Sequence, residues 1–483
     1  MLSFTPNLNT TSRTPIYLQL YEYIRQQILN ENIKGGTKLP SLRKLSQDLH
    51  VSKNTVESAY QQLEAEGYLE SVPRTGYLVM ELESILYEPK SIEKTVEEVK
   101  KIKIEYRYDL TSKGIDGNIF NQKLWKKVTS EVLKEDFYDL VQYGHPQGEL
   151  ELRKEIVKYV YENRGFTCHP DQIIIGAGTQ YCLSLLCQML RRDHDAIAVE
   201  DPGTNWIRFI FERFHFAVSP LPVTKKGYDV STLDSGDSRV VFVTPSHQFL
   251  KGKVVPVANR ISLLNWAYQN DGIIIEDDYD SEVRYLVDAI PSLKSLDKND
   301  HVVYLGSFSK IFIPALRISF MILPPKLLEI YQNEFGFYEQ TTSRLHQKAF
   351  TRFIQEGYFE SHIRKLKKNF RYKYGVIMQA IEKYLGKRVE VIFVKGGLSF
   401  LLACNCNKKE EELVEMAKAA GIRMSTITEY YLRHMEYHQK GRPKVYLCFK
   451  GVVLEDIEPI VKLLNEVWFG SESQENPLQN KEN

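Results

Sequence analysis

Six short runs of β-branched and apolar residues constrain the fold of the larger part of this chain. They carry no alternation of apolar and polar residues, and helix-length segments separate most of them. Strands that are buried on both faces show this pattern. The sequence therefore predicts an α/β domain built on a mainly parallel sheet. The runs are QIIIG (172–176), AIAVE (196–200), RVVFV (239–243), GIIIED (272–277), VVYLG (302–306) and ISFMIL (318–323).

The predicted sheet lies in a longer chain whose composition changes along its length. Two further strand patterns, VEVIFV (389–394) and GLSFLLAC (397–404), follow a helical and charged segment that begins near residue 330. A stretch rich in Glu and Lys with few large apolar side chains is typical of a linker, and a polar terminal stretch predicts disorder. We therefore predict an N-terminal domain at 14–80, a linker at 81–105, the α/β domain at 106–470 and a disordered tail at 471–483.

The composition of the 483 residues excludes several classes of protein. The formal net charge is +1, so any attraction for nucleic acid must come from a local patch. The six cysteines show no C-x-x-C spacing, so we expect buried thiols in a reducing cytosol and no metal site. There is neither a signal-peptide pattern nor an apolar run of about 18 residues. We expect a cytoplasmic protein without a membrane span.

The N-terminal segment has the pattern of three helices followed by a hairpin. Residues 16–30 carry apolar side chains at helical spacing. Ser41 and Ser52 are N-cap residues for two further short helices, and Gly67 is placed to end the second of them. The stretch 68–79 predicts two short strands around a Pro-Arg-Thr-Gly turn. This order is that of a winged helix-turn-helix domain.

A basic surface on this domain indicates contact with double-stranded DNA. In a helix-turn-helix the start of the second helix lies near base edges in the major groove. Lysine donates to guanine or phosphate, and asparagine pairs with adenine through two hydrogen bonds. Residues 34–53 include five Lys or Arg and one Asp. The alternative is a solvated basic face on a winged helix that binds protein. The candidate DNA-binding residues are Arg43, Lys53, Asn54, Thr55, Arg74 and Gly76.

The ends of several predicted strands carry a lysine, carboxylates, an arginine and a glycine turn before a helix. Together these are the residue types that hold pyridoxal 5′-phosphate (PLP). Covalent attachment of this cofactor needs a lysine whose amine is neutral when it attacks a carbonyl. The pyridine nitrogen needs a carboxylate, and the phosphate needs an arginine and donors at a helix N-terminus. Open α/β sheets bind ligands at such strand ends. The segments that supply these groups are GAGTQYCLSLL (176–186), IIIEDDYDSE (273–282) and GSFSKIFIPALR (306–317).

Each of these segments alone has an ordinary explanation. A lysine after a serine is usually a surface residue, and glycine turns before helices are common. The acidic stretch EDDYD also fits a solvated loop or a magnesium site. The order of the segments and their places at strand ends favour one shared site.

Together the segments resemble fold-type-I PLP enzymes of the class I aminotransferase kind. The stretch LPSLRKLSQDLHVSKNTVESAYQQLEAEGYLE (39–70) resembles the GntR-type DNA-binding domain. The chain from about residue 15 to 470 resembles the MocR family of transcriptional regulators, to which YGHPQGELELRKEI (143–156) and ENRGFTCHPDQIIIGAGTQ (162–180) are also similar. The resemblance implies an aminotransferase-like α/β domain behind a winged helix-turn-helix, PLP as the cofactor, and a homodimer.

The same resemblance implies roles for individual residues. Lys310 forms the Schiff base with PLP, Asp277 pairs with the pyridine nitrogen, and Tyr279 hydrogen-bonds the ring hydroxyl. Asp278, one residue along, is the alternative partner of the nitrogen. Tyr143 crosses to the phosphate in the partner subunit. The remaining phosphate ligands are Gly178, Thr179, Gln180, Ser307, Ser309 and Arg317.

Two departures from the family pattern concern the cofactor ring. Thr204 stands where an aromatic residue usually stacks on the ring, and Trp206 is the candidate substitute. In SHQFLKG (246–252), Leu250 and the lysine after it replace a proline and a small residue. Either His247 or Gln248 is placed to meet the ring hydroxyl.

A third departure concerns the substrate. Tyr446 stands where class I aminotransferases carry the arginine that clamps the substrate α-carboxylate, and nearby Arg442 is the candidate replacement. The amino-acid pocket is therefore less complete than the cofactor pocket. Because turnover needs accurate placement of the substrate, this favours a sensor over an efficient enzyme.

These observations predict a PLP-dependent transcriptional regulator that senses an amino compound. Its partners are an amino-compound effector and operator DNA with repeated or palindromic half-sites, which suit a dimer. The rival hypothesis is a working aminotransferase with a DNA-binding appendage.

Overall fold

The chain divides into two compact units, residues 1–103 and 104–483. The computed structural model describes residues 6, 8–82, 106–111, 114–250, 254–279, 290–309, 311–392, 398–432 and 441–470. The predicted attachment residue Lys310, most of the predicted linker and the predicted tail lie outside the described residues. The domain boundaries drawn from the sequence therefore stay predictions.

The N-terminal unit, here called the head, is a three-helix domain with a two-stranded wing. Ser41 accepts a hydrogen bond from the Lys44 N–H and Ser52 from the Thr55 N–H, so both predicted caps are present. The second cap starts the helix that is predicted to lie in the major groove of DNA. The elements are α1 (Ile16–Leu29), α2 (Leu42–Asp48), α3 (Lys53–Ala65), β1 (Leu69–Val72) and β2 (Gly76–Val79), and the two strands pair antiparallel.

The head has a hydrophobic core of its own. Leu20 and Ile24 of α1 pack with Val56, Tyr60 and Leu63 of α3, and all five are fully buried. These positions recur at helical spacing, so each helix buries one face. The side chains on the opposite face of α3 remain exposed to solvent.

The second unit is built around a mixed sheet. Its strand order is β4-β11-β10-β9-β8-β5-β6-β7. Strands β6, β5, β8, β9 and β10 run parallel, whereas β11 runs antiparallel between β10 and β4. The ranges are β4 (Ile173–Ala177), β5 (Ala196–Asp201), β6 (Ala217–Thr224), β7 (Gly227–Tyr228), β8 (Val240–Val243), β9 (Ile273–Asp278), β10 (Val302–Ser307) and β11 (Ile318–Ile322).

The central strands of this sheet are buried on both faces, as the apolar runs predict. Every residue of β8 and β11 is buried. Helices cover the sheet and separate its strands along the chain. They are α4 (Gln122–Glu135), α5 (Phe137–Leu140), α6 (Leu150–Arg164), α7 (Thr179–Leu190), α8 (Asn205–Arg213), α9 (Ser231–Asp234), α10 (Val257–Gln269) and α11 (Pro325–Ile330).

A smaller antiparallel sheet follows in the C-terminal part of this unit, with the order β12-β13-β16-β15. The helices α12 (Arg344–Gln355), α13 (Tyr358–Tyr384), α14 (Glu410–Ala419) and α15 (Ile457–Phe469) belong to this part. The strands are β12 (Val389–Ile392), β13 (Ser399–Cys404), β15 (Ser425–Thr426) and β16 (Lys444–Cys448), and a further short strand, β14 (Ile422–Arg423), pairs parallel with β3 (Tyr108–Asp109).

Within the described ranges, none of the helices combines the length and the apolar character needed to cross a lipid bilayer. The cysteines are free, and burial raises the pKa of the Cys182 and Cys187 thiols to about 12. Both thiols are therefore protonated at neutral pH.

Candidate functional site

The turn between β4 and α7 forms one wall of the site. Gly178 lies there with φ +90°, in the region that favours glycine. A Cβ atom at this position would collide with the guanidinium of Arg317. The helix begins at Thr179, and the N–H groups of Thr179 and Gln180 have no acceptor within the helix. This wall therefore offers backbone donors at a helix N-terminus beside a fixed positive charge.

The Arg317 guanidinium lies beside this turn, because Arg317 immediately precedes β11. It follows a short 3-10 helix (Pro314–Leu316) and has φ +55°, which is unusual for a residue with a side chain. Its Nη2 lies 3.4 Å from the Ala177 carbonyl oxygen, and the residue is exposed. Because β11 pairs antiparallel with β4 and Ile318 lies opposite Ala177, Arg317 lies beside the turn at Gly178.

The serines after β10 complete this group. Ser319 donates a 2.8 Å hydrogen bond to Ser307 Oγ, and the Ser309 N–H donates to the same oxygen at 3.3 Å. The Ser309 Oγ is buried and has no hydrogen-bond partner among the described residues. A buried hydroxyl in that state is costly, so a bound acceptor is expected to satisfy it.

The structure distinguishes the two aspartates at the end of β9. Asp278 lies 2.6 Å from Arg164 Nε and accepts a 2.8 Å hydrogen bond from the Tyr304 hydroxyl. All three side chains are buried. Asp278 is thus committed to a buried ion pair. Successive side chains of a strand point to opposite faces, so Asp277 lies on the other face of the sheet.

A second buried carboxylate supports the same strand. Glu276 accepts hydrogen bonds from the N–H groups of Leu293 and Lys294 at 2.7 and 2.8 Å. Burial, with the neighbouring Asp278 charge, raises the pKa of Glu276 to about 7. The sequence pattern IIIEDDYD alone gave no sign that Glu276 and Asp278 would be bound to these partners.

Tyr279 and His247 lie together, as one of the two sequence alternatives requires. The Tyr279 hydroxyl donates to the His247 carbonyl oxygen at 3.2 Å and lies 3.5 Å from His247 Nδ1. The Gln248 amide instead donates to the Pro202 carbonyl at 3.0 Å. Of the two candidates for the ring hydroxyl, His247 is therefore the one beside Tyr279.

Sequence reasoning missed a buried carboxylate near the end of β5, shortly before Thr204. Glu200 at the end of β5 is buried and accepts hydrogen bonds from the Tyr228 hydroxyl (2.5 Å), the Thr244 N–H (2.6 Å) and the Thr244 hydroxyl (2.8 Å). Thr204 immediately precedes α8, and Trp206 is half-buried against the core below that helix. The sequence signal that could have revealed this carboxylate is the glutamate at the end of the apolar run AIAVE (196–200).

Arg442 does not join this site, contrary to the expectation from the sequence. Its guanidinium donates to Asn405 Oδ1 at 2.7 Å and forms an ion pair with Glu390, and its side chain is about half exposed. It precedes β16 by two residues, whereas Tyr446 lies within that strand.

Tyr143 is 87% exposed, so it is not enclosed among the other candidate phosphate ligands of its own chain. Arg344 fixes the loop that carries it by donating to the Gln142 carbonyl at 2.8 Å and to Glu149 at 2.6 Å. Other large apolar side chains close to it in the sequence are also exposed. They are Leu133, Phe137, Tyr138, Val141 and Leu150.

In the head, the candidate DNA-binding residues lie on the helix-turn-helix and the wing. Arg43, Lys53 and Asn54 are exposed, and the last two begin α3. Thr55 is half-buried and its hydroxyl pairs with Ser52 at 2.8 Å, so this side chain belongs to the helix cap.

The tip of the wing is a tight turn. Arg74 and Gly76 both have positive φ, +65° and +105°, and both are exposed. The Thr75 N–H donates to the Val72 carbonyl at 3.0 Å, which closes the turn between the strands. The wing therefore presents a charged residue at its tip.

The two units match two separate families. Residues 16–79 match the bacterial regulatory proteins of the gntR family, and residues 117–437 match aminotransferase class I and II. The chain is also 37% identical over 472 residues to the uncharacterized HTH-type transcriptional regulator YdeL of Bacillus subtilis (strain 168), covering 97% of this chain and all of that one. The chain belongs to the MocR-type transcriptional regulators. It shares 27% identity over 479 residues with the probable rhizopine catabolism regulatory protein MocR of Rhizobium meliloti, covering 96% of each.

The fold of the second unit of this MocR-type chain is that of aminotransferases. A crystal structure of kynurenine aminotransferase from Pyrococcus horikoshii superposes with a TM-score of 0.65 at 21% identity. The match covers 79% of this chain and 95% of the enzyme. The predicted fold class, an aminotransferase-like α/β unit behind a winged helix-turn-helix, is confirmed.

Proposed function

We propose that this MocR-type regulator binds PLP in its aminotransferase-like unit, senses an amino compound there, and alters its affinity for operator DNA in response. The observation that carries the proposal is the cup formed by Gly178, the N-terminus of α7, Arg317 and the buried hydroxyl of Ser309. A phosphate supplies the negative charge and the acceptor oxygens that this donor set lacks.

The residues around the cup fit the rest of the cofactor. In our proposal Asp277 holds the pyridine nitrogen, and Tyr279 with His247 meets the ring hydroxyl. Lys310, outside the described residues, is the attachment point. When bound, PLP supplies a carbonyl group and an electron-withdrawing ring to an amine. The kynurenine aminotransferase with the same fold was crystallised in complex with PMP, the amine form of this cofactor, which supports the proposal.

Removing the charge of Asp277 is expected to impair cofactor binding, whereas removing the charge of Asp278 is expected to impair folding stability. Asp277→Asn weakens cofactor binding and shifts its absorbance to the blue, because the ring nitrogen then loses its proton. Asp278→Asn breaks the buried pair with Arg164, so it costs about 3–5 kcal/mol of the free energy of unfolding. Cofactor titration and thermal unfolding of both variants measure the two effects. Normal cofactor binding by Asp277→Asn would assign the nitrogen to Asp278.

We further propose that the head binds double-stranded DNA through α3 and the wing. Lys53 and Asn54 would meet base edges, and Arg43 and Arg74 would meet phosphates, with Gly76 permitting a close approach of the wing. Thr55 would act through the cap that fixes the start of α3. The exposure of these residues and the match to the gntR family support this assignment.

Lys53→Ala is expected to weaken operator binding by about 1–3 kcal/mol and to relax preference at one base pair, if the lysine reads a base. If it meets only phosphate, binding weakens equally on all sequences and less steeply with salt. Fluorescence anisotropy with operator and scrambled duplexes separates the cases. Arg25→Ala is the matched control, because Arg25 lies on α1 and donates to Glu22 of the same helix and to the Tyr68 hydroxyl just before β1. Unchanged affinity of a Lys53→Ala, Arg43→Ala double variant would remove α3 from the groove.

We propose a homodimer in the cytoplasm. Several large apolar side chains close to Tyr143 in the sequence are exposed, which supports a partner there, because exposed apolar surface often marks interfaces. Tyr143 would then complete the phosphate site of the partner. Two heads per dimer suit repeated or palindromic half-sites on the operator.

A regulator rather than a working aminotransferase is favoured by the absence of Arg442 from the site. Its guanidinium is bound to Glu390 and Asn405. Tyr446 stands on β16 at the position where class I aminotransferases carry the arginine for the substrate carboxylate. Formation of keto acid over many turnovers from an amino acid and 2-oxoglutarate would instead establish the enzyme.

A further inference from the structure

An aromatic cluster stands where a carboxylate clamp is expected. Phe249, Tyr430 and Tyr446 contact one another, with ring centroids 5.0 Å apart for Phe249 and Tyr430, 6.0 Å for Phe249 and Tyr446, and 5.8 Å for Tyr430 and Tyr446. Tyr446 is buried, whereas Phe249 and Tyr430 are partly exposed. The cluster therefore presents apolar ring surface to solvent.

Hydrogen bonds fix this cluster beside the proposed cofactor residues. The Phe249 N–H donates to Thr244 Oγ1 at 3.2 Å, and Phe249 lies two residues after His247. The Tyr430 carbonyl accepts from the Gly203 N–H at 2.9 Å, next to Thr204. The rings thus join the loop beside Tyr279 to the loop that carries Thr204.

The three rings of this cluster carry no positive charge. Burial raises the pKa of the Tyr430 phenol to about 12, so that ring is neutral at physiological pH. The arginine expected nearby, Arg442, is tied to Glu390 and Asn405 instead. The rings themselves offer a carboxylate no ion pair, so a carboxylate placed against them would lose hydration that they do not replace, whereas an apolar group would gain contacts.

We propose that the effector is a primary amine whose amine-bearing carbon carries no carboxylate, and whose apolar or aromatic body packs on Phe249, Tyr430 and Tyr446. The inference rests on the proposed function, because it presupposes PLP in the site. The inference restricts the proposed amino compound to amines without an α-carboxylate and so excludes α-amino acids.

Matched pairs that differ only in the α-carboxylate test the inference. The full-length chain loaded with PLP is titrated with tyramine and tyrosine, 2-phenylethylamine and phenylalanine, and 3-methylbutylamine and leucine. The change in cofactor absorbance and the heat of binding are recorded. We expect each amine to bind at least about tenfold more tightly than its amino acid. Equal or tighter binding of the amino acids would overturn the inference.

Variants of the cluster sharpen this test. Tyr446→Arg is expected to shift the amine-to-acid affinity ratio towards the amino acids by about tenfold or more, because it restores a bidentate carboxylate partner. Tyr446→Phe keeps the ring and should keep the preference for amines. Arg442→Ala should leave the ratio unchanged. Loss of amino-acid binding in Arg442→Ala would show that Arg442 is the clamp after all and would refute the inference.

Failure of the inference and failure of the proposed function give different results. If the purified chain neither takes up PLP nor shows its visible absorbance, the proposed cofactor is wrong. If PLP binds but none of the amines changes the absorbance or releases heat, PLP binding stands and the effector class is wrong.

Discussion

Replacing Lys310 with alanine is expected to abolish the covalent link between the chain and PLP while leaving operator binding intact. The visible absorbance of the linked cofactor disappears, and reduction with borohydride no longer fixes PLP to the protein. The variant should also stop responding to the effector. In the unaltered chain the effector is expected to shift operator affinity by about 5–150-fold, equivalent to about 1–3 kcal/mol of coupling. In Lys310→Ala we expect no shift.

Titration of operator with and without amine measures this coupling, and linkage requires that operator change amine affinity by the same factor. Lys326→Ala is the control, since Lys326 is exposed and pairs with Asp271. PLP that borohydride still fixes to Lys310→Ala would show that another lysine carries the cofactor. Identical amine binding with and without operator in the unaltered chain would show that the two units work independently.

Gly178→Ala is expected to lower PLP affinity by about 1.5–3 kcal/mol. The new methyl group displaces the Arg317 guanidinium, and with it a charge-assisted bond to the phosphate. The backbone at φ +90° adds strain. Equilibrium dialysis or fluorescence titration of the apoprotein with PLP measures the loss.

The variant Gly357→Ala is a control that introduces the same kind of backbone strain without displacing an arginine. Gly357 also has positive φ, +72°, but a Cβ there would meet only Glu360 Oε2 at 3.9 Å. This variant should lose about 1–2 kcal/mol of stability and keep its affinity for PLP. Equal PLP affinities in the Gly178 and Gly357 variants would mean that the turn before α7 does not hold the phosphate.

The main strands of the large sheet could be predicted from the sequence because buried parallel strands leave an uninterrupted apolar signal. The run RVVFV predicts β8 and the run ISFMIL predicts β11, each to within about a residue. The serine caps of α2 and α3 were equally local signals. Strand β6 was missed, since Pro220 and Pro222 within it argue against a strand, although prolines are tolerated near the edge of a sheet.

Tertiary partners within the site could not be predicted. Nothing around Asp278 indicates that Arg164, more than 100 residues earlier, is its counter-ion. Proximity in sequence likewise favoured Arg442 as a clamp, whereas the register of β13 and β16 places it beside Asn405 and Glu390. Local patterns supplied the candidate residues, and long-range packing decided which of the alternatives are available.

The separate core of the head has a consequence for how such regulators diversify. Among the described residues, the buried side chains of this cluster all come from the N-terminal unit. We therefore expect mutations inside this core to leave the packing of the aminotransferase-like unit unchanged. Recombination near the boundary can then join a new head to an existing sensor, and each half can drift towards a new operator or a new amine at its own pace. Laboratory chimaeras with heads exchanged between relatives would exploit the same modularity.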